Sequence, residues 1–113
     1  MGSADGLIST HVLDTVTGSP AAAVEIRLDR RVDADWQPLG AGRTDDDGRW
    51  RHPIPADRWR PGDYRLTFDV RGQLGPDAFF GEITVAFRVS ALDRAHHVPL
   101  LLSRYGYTTY RGS

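Results

Sequence analysis

Apolar side chains return at every second residue along much of this chain, a period that fits strands and not helices. Val24, Ile26 and Leu28 alternate with Glu25, Arg27 and Asp29. Tyr64, Leu66, Phe68 and Val70 alternate with Arg65, Thr67 and Asp69, and Ile83, Val85, Phe87 and Val89 with Thr84, Ala86 and Arg88. Strands of this kind bury one face and leave the other to water. Leu7 to Leu13, Trp36 to Thr44, Trp50 to Ile54, Val98 to Ser103 and Tyr107 to Arg111 are further β-favouring stretches, for a total of about eight. Turn signals separate them: Thr17-Gly18-Ser19-Pro20, Asp45-Asp46-Asp47-Gly48, Pro61-Gly62-Asp63, Gly72 to Pro76, and Gly106. No stretch of ten residues carries an apolar stripe at helical spacing, so any helix is short and lies within Gln73 to Phe79 or Asp57 to Trp59. The pattern predicts an all-β, two-sheet, eight-stranded sandwich with at most one short helix.

A chain of 113 residues holds one core, which makes residues 1–113 a single domain, with 1–6 as a flexible N-terminus. The chain has no Cys, and its 14 basic residues are all Arg. Thiolate nucleophiles, thiolate metal sites and Schiff-base chemistry are therefore excluded. Against 15 acidic residues the net charge is -1, which gives no general attraction to nucleic acid or to an anionic membrane. Met1 to Asp5 lacks the basic start and apolar run of a signal peptide, and no apolar run approaches the roughly 18 to 20 residues of a membrane span. The default location is the cytoplasm.

Candidate chemistry narrows quickly. A calcium loop built on Asp45-Asp46-Asp47-Gly48 would need an acid at position 43 and Glu at position 54, where Arg43 and Ile54 stand. A polar turn with Gly48 at positive φ is the better account. His96 and His97 are adjacent on a strand, face opposite ways and cannot chelate one ion; no metal site is predicted. GxGxxG, P-loop and GxSxG patterns are all missing. What remains is histidine and arginine. His11 shares a strand face with Ser9 and Leu13, and His97 opens an apolar strand; the residues alone leave each as either structural or catalytic. Near the end of the chain, Leu100-Leu101-Leu102 is apolar on both faces, and Tyr105, Tyr107 and Tyr110 follow. Side chains so prone to burial predict docking in a subunit interface, hence an oligomer.

Three segments carry a family likeness: Ser9-Thr10-His11-Val12-Leu13-Asp14 with Thr17-Gly18-Ser19-Pro20-Ala21; Thr44-Asp45-Asp46-Asp47-Gly48-Arg49; and His97-Val98-Pro99-Leu100-Leu101-Leu102-Ser103 running on to Tyr110-Arg111-Gly112-Ser113. From about Leu7 to the last residue the chain resembles the 5-hydroxyisourate hydrolases, the enzymatic branch of the transthyretin family. Transthyretins proper, which carry thyroid hormone, lack the final Tyr-Arg-Gly-Ser.

The resemblance implies a sandwich of two four-stranded sheets, assembled as a homotetramer (a dimer of dimers) with active sites in the channel between dimers. It implies hydrolytic opening of the six-membered ring of 5-hydroxyisourate, in urate degradation, to 2-oxo-4-hydroxy-4-carboxy-5-ureidoimidazoline, with no cofactor. It assigns His11, Arg49 and His97 as catalytic, and Tyr110, Arg111, Gly112 and Ser113 as completing the substrate pocket with His11 and Arg49. The chain departs from the family in reading Ala95-His96-His97 for His-Tyr-His, Gly81-Glu82 for Pro-Glu, and Arg104 for Gln or Pro. Ring opening by water needs a base, a donor for the attacked carbonyl and a proton for the departing nitrogen. Histidine, with a reference pKa of about 6.5, suits the first and last, and a planar guanidinium suits the second. Which histidine does which stays open. Two rivals are a non-catalytic transthyretin-like carrier of a small ligand and an immunoglobulin-like accessory module.

Overall fold

The computed structural model describes residues 5–113. Its strands are β1 (Gly6–Asp14), β2 (Ser19–Pro20), β3 (Glu25–Val32), β4 (Asp35–Arg43), β5 (Arg49–Ile54), β6 (Gly62–Asp69), β7 (Glu82–Val89), β8 (His96–His97), β9 (Leu100–Leu102) and β10 (Tyr107–Thr109); the helix α1 spans Arg71–Leu74. One sheet is antiparallel in the order β4-β3-β6-β7. The other is organised on β1. Its first half pairs with β5 on one side and, in parallel, with β8 on the other; its second half pairs with β2 and, again in parallel, with β9, which β10 follows as the edge strand.

The second sheet is thus four strands wide with two of them broken. β8 and β9 are one strand interrupted at Val98-Pro99, since proline has no N–H to give the ladder. The Val98 N–H still donates to the Ser9 carbonyl at 2.9 Å, and Thr10 Oγ1 donates to the Val98 carbonyl at 2.6 Å. The two-sheet sandwich, with four strands a side, is the architecture expected. Differences are local. The stretch predicted as Val98 to Ser103 starts earlier and splits, β4 begins one residue sooner, at Asp35, than the Trp36 predicted, and the helix falls at Arg71–Leu74, ahead of Gln73 to Phe79. Asp57 to Trp59 forms a turn closed by Arg58 and Trp59 N–H groups on the Pro55 carbonyl.

Of the N-terminal stretch, residues 1–4 lie outside the described residues, whereas Gly6 opens β1 opposite Ile54 and the Asp5 carboxylate accepts the Ala56 N–H at 3.0 Å. Alternation sorts β1 cleanly: Ile8, Thr10, Val12 and Asp14 are buried between the sheets, while Leu7, Ser9, His11 and Leu13 form the outer face. Ile26, Leu28, Leu66, Phe68, Ile83, Leu100 and Leu102 complete a continuous core. No helix among the described residues is long and apolar enough to cross a membrane.

Candidate active site

The outer face of β1 is where the predicted chemistry gathers. The register sets Arg49 of β5 opposite His11 and Arg51 opposite Ser9, and sets His97 of β8 beside Ser9 on the other flank. Directly opposed side chains in an antiparallel pair have Cβ atoms about 4.5–5.5 Å apart. Two adjoining rows result: Arg49 with His11, and Arg51 with Ser9 and His97. Because side chains alternate, all five residues project from the same side of the sheet.

Arg49 is presented by the turn before it. Asp45 Oδ1 accepts the N–H groups of Asp47 and Arg49, both at 2.9 Å, and the Asp45 N–H donates to the Arg49 carbonyl at 2.8 Å. Gly48 takes a φ of +75°, and its carbonyl accepts the Val12 N–H at 2.7 Å, which pins the turn to β1. The same turn orients His11, whose Nε2 lies 2.8 Å from the Asp47 carbonyl oxygen. A carbonyl only accepts, so Nε2 carries the proton and the neutral ring keeps its lone pair on Nδ1.

His97 is held from both sides. Its Nδ1 lies 2.8 Å from Ser9 Oγ, a hydroxyl able to serve either tautomer. The C-terminal tail bridges to its backbone, with the Gly112 N–H donating to the His97 carbonyl at 2.8 Å. A Cβ at position 112 would stand 2.5 Å from His97 Cδ2, so only glycine lets the tail lie on the imidazole. Burial, then the Arg49 guanidinium and His11, hold the His97 pKa below the ordinary histidine value of 6.5. The imidazole is therefore neutral near pH 7, the form a base requires.

Leu7, Ser9, Arg49, Arg51, His97 and Ser113 line a cavity of about 310 Å³ on this face. Ala95 is part of its wall. Of the residues singled out from the sequence, Arg49, His97 and Ser113 line this cavity, with Gly112 as the strap, and His11 stands beside Arg49 on the same sheet face, outside the cavity lining. Tyr110 and Arg111 instead line a separate, more apolar cavity of about 230 Å³, between Val85–Arg88 of β7 and the β8 and β10 side of the other sheet. Tyr110 is 56% exposed.

His96 faces the other way from His97: its ring packs edge-on against Trp59 at 5.7 Å, and burial lowers its pKa. Among the described residues, no three His, Asp or Glu side chains are placed to hold a metal ion. Reading the sequence missed Ser9 and Arg51. The available signal was two-residue spacing on strands, since Ser9 precedes His11, and Arg51 follows Arg49, by one alternation.

Fold and side-chain placement together define a transthyretin-type β-sandwich that gathers two histidines and two arginines on the outer face of one sheet. The chain matches the HIUase/Transthyretin family over residues 8–112 and belongs to it. A 5-hydroxyisourate hydrolase of Salmonella typhimurium is 46% identical over 113 residues, spanning 96% of this chain and 82% of the relative. Among solved structures, the 5-hydroxyisourate hydrolase of Klebsiella pneumoniae superposes with a TM-score of 0.77 at 30% identity, covering 95% of this chain and 99% of that one. Sea bream transthyretin in complex with thyroxine superposes with a TM-score of 0.84 at 28% identity, covering 93% of both.

Proposed function

We propose that the protein is a 5-hydroxyisourate hydrolase. The observation that carries this reading is the convergence of His11, Arg49 and His97 on one sheet face, with the His97 pKa lowered. Neutral His97 removes a proton from water as its oxygen bonds to the ring carbonyl carbon. Arg49 holds the carbonyl edge through paired N–H donors and offsets the charge that develops on oxygen. His11, with Nε2 committed to the Asp47 carbonyl, presents Nδ1 as an acceptor that orients the water. The imidazolium of His97 then returns its proton to the departing nitrogen as the C–N bond breaks. Acid–base assistance of this kind contributes roughly 10²- to 10⁴-fold.

The site lies on an outward face, and a second layer of subunits would close it. A homotetramer, a dimer of dimers, does this. Two features support it: β7 and β10 are edge strands flanking one cavity, and Phe79, Tyr105, Tyr107 and Tyr110 are exposed aromatics close to the end of β10. In that assembly Tyr110 and Arg111 complete the pocket across a subunit boundary. Sedimentation equilibrium reading four chains supports the assembly, and a stable monomer removes it.

The rival is a carrier of a small aromatic ligand, which needs a channel but no base. The deciding experiment generates 5-hydroxyisourate with urate oxidase and follows its ultraviolet absorbance. Faster decay on adding the protein is expected; unchanged decay leaves the carrier.

A further inference from the structure

The second row of the site holds a cation that the mechanism above does not use. Arg51 projects from the same face as Arg49, lies opposite Ser9, and lines the cavity with His97. Four arginines on the outer face of the other sheet are paired with acids, Arg27 with Glu82, Arg43 with Glu25, Arg65 with Asp29 and Arg88 with Asp63, while Arg31 there donates to the Asp33 carbonyl. Among the described residues, neither Arg49 nor Arg51 has an acidic side chain in ion-pair contact. Two like charges two residues apart on one strand face repel, and a cavity wall that keeps both is built to receive an anion.

Resting on the hydrolase reading, we infer that Arg51 is the receptor for the carboxylate that ring opening creates. Water adds across the C–N bond: its oxygen stays on the former carbonyl carbon, one proton goes to nitrogen, and the resulting acid gives up the other at neutral pH. The cyclic substrate has no carboxylate at that carbon, whereas the product does. Arg49, in the row of His11, meets the carbonyl edge before and during attack. Arg51, in the row of His97, meets the second oxygen once it is charged. A guanidinium fork matches a carboxylate in two parallel hydrogen bonds. Arg51 is thus a product-binding residue and sets how strongly the open form is held.

Two stable probes separate the forms without turnover: hydantoin, a neutral cyclic imide, and hydantoate, its ring-opened ureido carboxylate. Binding is read by NMR titration of the whole protein at pH 7. Wild type is expected to prefer hydantoate about tenfold or more, the scale of one charge-assisted pair. Arg51→Gln should remove that preference and leave hydantoin binding unchanged, while Arg51→Lys, which keeps the charge, should retain part of it. Arg51 is exposed, so both variants fold. A hydantoate preference that survives Arg51→Gln, or none in wild type, overturns the inference. Protein that opens 5-hydroxyisourate yet shows no such preference sinks this inference alone. Protein inert in the ultraviolet assay sinks the hydrolase reading, whatever hydantoate does.

Discussion

Ser9 Oγ lies 2.8 Å from His97 Nδ1 across 88 residues of sequence, joining the first strand of the chain to the histidine near its end. The contact fixes the imidazole about its ring axis and steers its other nitrogen. On the hydrolase reading, Ser9 acts through His97 as a positioning residue. Ser9→Ala should lower kcat about 3- to 10-fold, the scale of one net hydrogen bond, with KM nearly unchanged. Ser9→Thr, which keeps the hydroxyl, should restore much of it. A merely structural role would instead lower thermal stability and leave kcat alone.

His97→Asn keeps size and polarity but cannot titrate near neutrality. A rate loss of at least about 10²-fold is expected. A loss below about threefold would remove His97 from the mechanism, which on the general-base magnitude cannot be so small.

Burial lowers the pKa of both His96 and His97. The unfolded chain therefore binds more protons than the native one just below pH 6.5, and stability falls as pH drops through that window. Asp14 and Asp69 are held below 3.8 by hydrogen bonds, from Gln73 and backbone N–H groups in one case and from Arg71 in the other, so their contribution is lost only in stronger acid. Thermal unfolding at pH 7, 6 and 5 should show a steady decline. The acid limb of kcat/KM should lie below pH 6.5, and the NMR titration of His97 should move upward in Arg49→Gln, where a neighbouring cation is gone. A limb at or above 6.5 contradicts the assignment.

Gly112→Ala places a methyl 2.5 Å from His97 Cδ2 and should displace either the ring or the tail. Activity is expected to fall at least about tenfold with little change in unfolding temperature, since the tail adds no buried apolar side chain. Removal of residues 110–113 should abolish turnover and leave the fold intact. Full activity in the truncated protein would refute a role for the tail.

Gly48→Ala tests the turn that carries Arg49. Its φ of +75° is strained for alanine, and the new Cβ would collide with the Val12 carbonyl. Gly18→Ala has a comparable φ of +76° and open space around it, which isolates the backbone cost. Denaturant unfolding should show Gly18→Ala costing about 1 kcal/mol and Gly48→Ala clearly more. Equal costs would mean that the turn does not press on β1.

Alternation along β1, β3, β6 and β7 was enough to read the strands, the buried faces and the two-sheet sandwich, because a period of two is a local property of each segment. The motifs around His11, Gly48-Arg49 and His97 likewise singled out residues that the register brings to one sheet face. Local sequence set Ser9 on the face of His11 and Arg51 on that of Arg49, but could not say that these faces adjoin each other and His97, nor that Tyr110 and Arg111 point to a different cavity of the same subunit. Those facts depend on register between strands far apart in the chain. Sliding β5 or β8 by one residue along β1 would turn every side chain to the opposite face. The core formed by Ile8, Val12, Ile54 and Leu100 forbids that slip, because it would carry their buried surface into water. Packing between the sheets thereby decided which histidines and arginines share an outer face.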